Sequence, residues 1–159
     1  MSGTTERPHI REGLLGLTGQ PAWGLVRTHG SMFFIEIGKP VLSPGQIRAH
    51  GEWHFLIECC HWRFETADKI LVGSEDDQQF IDRAFEKLEL GSVENAEVLA
   101  SAHDLLVKFN SGIAFRTFAT SSEATTEWTQ WLLHGPDDYT WVSDGGGHVK
   151  CITGDEPVR

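Results

Sequence analysis

The sequence predicts an α+β domain, mainly antiparallel β-sheet, with one amphipathic helix at about residues 75–88. Three observations carry this. Short apolar runs broken by Gly and Pro fill most of the chain, the mark of strands. One segment alone switches to a helical period. Hydrophobic residues make up 40% of 159 residues, with six Trp and nine Phe, enough large apolar surface for one core in a single domain.

Residues 1–12 read as a flexible leader, since Pro8 and the alternating charges give no period. The domain proper is expected over 13–147, with 148–159 as a tail. Ala22–Arg27 follows Pro21 as a first strand, and Ser31–Ile37 ("SMFFIEI") is a second, ended by Gly38 and Pro40. Val41–His50 holds Pro44 and Gly45 and reads as a loop. Glu52–Glu65 reads as one long strand, or as two pieces joined by a bulge, and Lys69–Val72 as a short strand. In "SEDDQQFIDRAFEKLELG" the residues Phe80, Ile81, Ala84, Phe85 and Leu88 form one helical stripe. Ser74 and Asp77 stand where a capping pair would, and Gly91 stands at the stop. Strands resume afterwards. Leu105–Phe109 and Ile113–Phe118 flank the turn Asn110-Ser111-Gly112. Trp128–His134 and Tyr139–Ser143 flank Gly135-Pro136-Asp137-Asp138. Val149–Ile152 can add an edge strand.

The halves 13–73 and 89–147 share a pattern that points to two related β-meanders. "HGSMFFIEIG" at 29–38 aligns with "HDLLVKFNSG" at 103–112. "GEWHFLIE" at 51–58 aligns with "TEWTQWLL" at 126–133, so that Glu52-Trp53 has an echo at Glu127-Trp128.

The net charge of −10 is uneven. Residues 1–73 carry seven Lys/Arg and seven Asp/Glu, whereas residues 74–159 carry six against sixteen. Such a surface argues against nucleic-acid binding, which needs basic residues for phosphate contacts. It suits a basic protein partner. No apolar run is long enough for a membrane helix, and the polar N-terminus lacks a secretory core, so a cytoplasmic protein is expected. Three cysteines do not make a disulfide framework.

The densest chemistry lies in "HGEWHFLIECCHWRFE", residues 50–65. At strand spacing, alternate residues share a face. One face carries Glu52, His54, Leu56, Glu58, Cys60, Trp62 and Phe64. The other carries Trp53, Phe55, Ile57, Cys59, His61 and Arg63. A bulge at 59–61 would bring the two apolar stretches to the same side. His54, Glu58 and Cys60 are the trio able to share a face, but residues i and i+2 on a strand give only two metal ligands at useful spacing, so a third would have to come from His29, His103 or His134. The spacing matches no known zinc motif. His50 and His54 are four apart, a spacing that joins side chains on a helix rather than on this strand. A second candidate is the turn Arg27-Thr28-His29-Gly30-Ser31, where His29 caps the turn or meets a ligand. The candidate ligand-binding set is therefore Arg27, His29, Glu52, His54, Glu58, Cys60 and Trp62. No catalytic set is assembled, and neither a metal nor a cofactor is called for. Gly145-Gly146-Gly147 lacks the strand, helix and Lys-Ser/Thr of a phosphate loop. Trp53 and Trp128 read as core. Trp23, Trp62, Trp131 and Trp141 are too many for the core, and an exposed cluster of them would be a protein-binding surface.

"LTGQPAWGLVRTHGSMFFIEIG" followed by "HGEWHFLIECCHWRF" resembles a family of small uncharacterised bacterial proteins. They share an L-T-G-Q-P-x-W-G opening, an H-G-S turn and a G-E-W-H strand ending in paired cysteines and Trp. The likeness runs from Leu17 to Phe64, implies one family domain, and brings no catalytic residue. In style, the chain also resembles small acidic α+β immunity proteins that neutralise a bacterial toxin. The expected function is a non-enzymatic protein-binding domain of that type, with an acidic C-terminal half. The alternative is a small-ligand or metal-binding domain, or an enzyme, centred on 50–65. A homo-oligomer joined through strand edges is a third expectation.

Overall fold

The computed structural model describes residues 6–99, 104–119, 129–144, 148–154 and 156–157. His103, the polar stretch 120–126, the Glu127-Trp128 echo and the glycines 145–147 lie outside the described residues.

The chain is mainly antiparallel sheet with two short helices, in line with an α+β class. The elements run α1 (Ile10–Gly16), β1 (Pro21–Arg27), β2 (Phe33–Val41), β3 (His50–Ile57), β4 (His61–Glu65) and β5 (Ile70–Gly73). Then come α2 (Gln78–Lys87), β6 (Gly91–Val98), β7 (Leu105–Phe109), β8 (Ala114–Phe118), β9 (Trp131–His134), β10 (Tyr139–Ser143) and β11 (Val149–Thr153). One expectation is corrected here: α1 begins inside the leader, at Ile10. The edge strand expected at Val149–Ile152 forms as β11, which pairs along its length with β10. The α1 stripe of Ile10, Leu14 and Leu17 is buried, but its i, i+4, i+7 spacing is masked by the glycines between. Those glycines are required, because a Cβ on Gly13 would lie 2.8 Å from the Trp141 ring and one on Gly16 2.6 Å from the Trp53 ring. The helix thus lies directly on a stacked indole pair whose centroids are 6.5 Å apart.

The strand order is β11-β10-β9-β3-β2-β1-β6-β7-β8-β4-β5. Apart from β11, it reads alike from either end. Each half of the chain supplies a helix and five strands. The first three strands of each half lie outward from the centre, and its last two are lent to the far side of the other half. The centre is short: Pro21 faces Ser92, Ala22 faces Gly91, and the Val93 N–H donates to the Gln20 carbonyl at 2.9 Å. The register slips between Ala22 and Gly24 in β1 and again between Val93 and Asn95 in β6, the same place in each half. By place in the strand order β3 answers to β8 and β4 to β9, which sets residues 131–133 against 62–64 rather than against 56–58.

The sheet closes over a common core. Phe33 of β2 meets Phe115 of β8 at 5.6 Å, Trp62 of β4 at 4.6 Å and Phe85 of α2 at 5.1 Å. In β3 the burial alternates, with Trp53, Phe55 and Ile57 inside. Residues 58–60 are where the chain leaves β3 and crosses to the opposite sheet as β4. The Glu58 and Cys59 amides donate to Gln130 and Thr129 carbonyls at 3.0 and 3.1 Å. Beyond the crossover Trp62 and Phe64 again face inward. In α2 the buried residues are Ile81 and Phe85, while Phe80 is exposed. Asp77, not Ser74, stands at its N-cap; the Ser74 hydroxyl instead accepts from the Trp62 amide at 3.1 Å. Among the described residues, no helix is long and apolar enough to cross a membrane.

Candidate functional site

The crossover scatters the seven candidates. Arg27 is a clamp from sheet to helix: its guanidinium donates to both Asp82 oxygens of α2, at 2.6 and 3.0 Å, and to the Gly30 carbonyl at 3.1 Å. His29 is exposed in the turn after β1. A Glu52 oxygen accepts from the Lys39 amide at 3.2 Å. Glu58 and Cys60 border a shallow pocket with Ser31, Cys59, His61, Ser74 and Glu75. Cys60 is buried there, donates from Sγ to the Gln130 carbonyl at 3.3 Å, and has its thiol pushed well up by burial and by acidic neighbours. It packs as a small apolar side chain in the core. Trp62 is core, its indole N–H donating to the Ser31 carbonyl at 2.8 Å. His54, Glu58 and Cys60 are therefore not brought together, since Cys60 lies past the point where the strand changes sheets. Among the described residues, no three His, Cys, Asp or Glu side chains form a metal-binding group.

The expectation of an exposed tryptophan cluster is also corrected. Trp62, Trp131 and Trp141 are buried, and the Trp141 indole donates to the Pro8 carbonyl at 2.9 Å. Trp23 is the exposed one, and it donates to the Gly38 carbonyl at 2.8 Å.

His54 stands in a different setting, on the outer face of the sheet. Here the connection from β2 to β3, residues 42–49, folds back over the strands. Beneath it is a cleft of about 400 Å³ lined by Val26, Phe34, Glu36, residues 46–49, His50 and His54. Ile47 at its rim is fully exposed. The register explains the floor: Glu36 lies opposite His54, and His54 lies opposite His134 on β9. Cross-strand neighbours on one face approach to within about 5 Å at Cβ, so three titratable side chains form a row.

The row is held by hydrogen bonds. Glu36 is only 6% exposed, so its charge needs partners. One oxygen accepts from His54 Nδ1 at 2.8 Å and the other from the Gly51 amide at 2.7 Å. Burial works to raise the Glu36 carboxyl. The bonds from His54 and Gly51, with the fields of His54 and His50, outweigh it and hold the group below the ordinary carboxylate value. The His54 ring packs on Phe34 at 4.5 Å. Burial, and then the neighbouring His54, holds His134 below the ordinary imidazole value, against the pull of Asp138. His134 Nδ1 meets the Thr140 hydroxyl at 2.8 Å. At the other end of the cleft, His50 Nδ1 meets the Gly51 carbonyl at 2.9 Å and Nε2 meets the Ser43 hydroxyl at 3.3 Å.

Glu36 is the residue that sequence reasoning missed. A lone carboxylate inside "FFIEIG" is a signal, because a strand buried on both faces must give it a partner. His134 is one of three histidines the sequence offers as a companion to His54, and only the sheet register singles it out, since their pairing crosses eighty positions. Compared with family models, with curated proteins and with solved structures, the chain matches none.

Proposed function

We propose that the protein is a ligand-binding domain whose working site is the cleft beneath residues 42–49. One observation carries the reading: a cleft of about 400 Å³ whose walls are mostly apolar and whose floor holds an oriented Glu36–His54 pair. Ligand sites combine apolar walls with a few convergent polar groups in this range of volume. The perturbed carboxyl adds to the reading, since shifted groups gather at functional sites. On this reading the two halves are copies of one helix-and-five-strand unit, and the site belongs to one copy because that copy carries the longer connection.

The test is a neutral apolar dye, N-phenyl-1-naphthylamine, titrated into two proteins. The first is the natural chain. In the second, residues 42–49 are replaced by Asn-Gly, a favoured two-residue hairpin connection. The natural chain is expected to bind the dye with a blue shift, and the shortened chain to lose at least about tenfold in affinity, roughly 1.4 kcal/mol. The shortened chain keeps its far-ultraviolet circular dichroism. Equal dye binding by both proteins would place the site elsewhere and sink the proposal.

A second reading rests on the excess of sixteen acidic over six basic residues in 74–159. It makes the protein an immunity-type binder of a basic partner, steered by charge. A pull-down from the native organism at low salt and at about 1 M salt checks it, because screening is strong at that ionic strength. A protein recovered only at low salt supports this reading, and recovery of none in either condition counts against it.

A further inference from the structure

Two carbonyl-type acceptors decide which atoms the cleft floor presents. The Gly51 carbonyl can only accept, so His50 Nδ1 carries the hydrogen in their 2.9 Å contact. The Glu36 carboxylate can only accept, so His54 Nδ1 carries the hydrogen at 2.8 Å. In each ring Nε2 is then the remaining nitrogen. In His50 it is engaged by the Ser43 hydroxyl at 3.3 Å. In His54, among the described residues, it has no hydrogen-bond partner.

Charge around that nitrogen is lopsided. Of the elements about it, β1 contributes the apolar Val26, and β2 contributes Glu36, whose two oxygens are both used. Strand β3 adds His50 and, between the two histidines on the same face, Glu52, one oxygen of which accepts from the Lys39 amide; β9 adds His134, and the connection above adds Arg48. Asp138, in the turn after β9, acts on His134. A cationic ligand would meet a guanidinium and up to three imidazoles, and Glu36, the carboxylate among the residues that line the cleft, has both oxygens taken. An anionic ligand meets a guanidinium and an imidazole whose second nitrogen is backed by a carboxylate. That backing favours the imidazolium once an anion accepts from Nε2.

We infer that the cleft takes a small amphipathic carboxylate. Its carboxylate accepts from His54 Nε2 and pairs with Arg48, and its hydrocarbon body lies against Val26, Phe34 and Ile47. This inference rests on the cleft being a binding site. In the complex the His54 ring holds both protons, so a ring that starts neutral takes up one proton as the ligand binds. No covalent bond changes.

The test compares hexanoate, hexan-1-ol and hexylamine, which share a six-carbon body and differ in charge. Each is titrated at about pH 6 and about pH 8, which bracket ordinary imidazole protonation. Carbon–proton NMR signals of the histidine rings and of Ile47 are the readout. Hexanoate is expected to bind at least about tenfold more tightly than either control at the lower pH. Its affinity should fall by about tenfold at the higher pH, because a proton must be taken up. His54→Gln is expected to abolish that pH dependence. Arg48→Met, at an exposed position and so safe for folding, is expected to weaken hexanoate alone. If hexan-1-ol or hexylamine binds the cleft as tightly as hexanoate, the binding site stands and the ligand class is wrong. If hexanoate binds equally at both pH values, the role given to His54 is wrong. If none of the three moves the His54 and Ile47 signals, the cleft itself fails as a site and takes this inference with it.

Discussion

The outer face of β2, β3 and β9 and the outer face of β7, β8 and β4 occupy equivalent places in the strand order, yet they differ residue by residue. The row Glu36, His54, His134 on the first corresponds to Lys108, Ala114, Glu65 on the second. The next row, Phe34, Leu56, Leu132, corresponds to Leu106, Arg116, Arg63. On the second face Glu65 is paired with Arg116 at 3.0 Å and with Arg63 at 3.4 Å, and Arg63 also lies 5.0 Å from the Phe118 ring centroid. Glu65 thus draws in both arginines, although Arg63 Nε is buried without a hydrogen-bond partner among the described residues. Its hairpin is short: the Phe109 amide bonds to the Ile113 carbonyl at 2.9 Å, with nothing left over to roof a cleft. The first face has a buried carboxylate, titratable neighbours and a long connection folded over them. The strand order is alike around both faces, and the candidate site goes with two local differences, a row of polar residues and a longer loop.

The largest effect is expected where the two faces share support. Phe33 lies between them, touching rings from β4, β8 and α2. Phe33→Ala is expected to cost about 3–5 kcal/mol, the range for deleting a buried aromatic ring. Urea unfolding followed by both tryptophan fluorescence and circular dichroism should show one coincident transition in the natural chain. Two separated transitions would mean that the faces stand on independent cores, and the comparison would lose its basis.

Much of this architecture is legible in the sequence, and the missing part has a common cause. The alternation in 50–57 and the helical stripe through Ile81 and Phe85 are local signals, and both elements form there. The bulge expected at 59–61 anticipates a real event, since Trp53, Phe55, Ile57, Trp62 and Phe64 all face inward. What local signals cannot carry is the partner of each strand. Strands β3 and β4 are nearly continuous in sequence, yet they sit in opposite sheets because β9 and β8 claim them. That exchange removes Cys60 and Trp62 from the site and brings His134 into it. The i, i+4 pair His50 and His54 also shows how a correct rule misleads. That spacing brings two side chains together on a helix. On a strand the same two residues still share a face, about 13 Å apart, wide enough to stand at two ends of one cleft.

The middle effect separates the faces by pH. Glu36→Gln leaves an amide whose NH₂ group opposes the His54 Nδ1 hydrogen, or loses the bond to Gly51. The expected cost near neutral pH is about 1–3 kcal/mol, the range for breaking a buried charged hydrogen bond. The sign follows from the carboxyl being held below its ordinary value of 4.5. Its contribution is full above that value and is lost as pH falls through the lower folded value. Urea midpoints measured from about pH 6 down to about pH 3 should therefore fall more steeply for the natural chain than for Glu36→Gln. Parallel profiles would mean that Glu36 is not the acid-sensitive group of this face.

The smallest effect belongs to the second face. Glu65 and its two arginines keep between 19% and 35% of their side chains in solvent, so water and salt screen the pairs. Glu65→Ala is expected to cost at most about 1 kcal/mol, the range for exposed ion pairs. The loss should shrink further at high salt. A double-mutant cycle with Arg116→Ala isolates the pair from the packing of the Glu65 methylenes. A coupling energy as large as the whole Glu36→Gln loss would mean that this face, too, holds a charge it cannot release to water. The two faces would then differ only in the roof, and the 42–49 connection alone would have to account for the site.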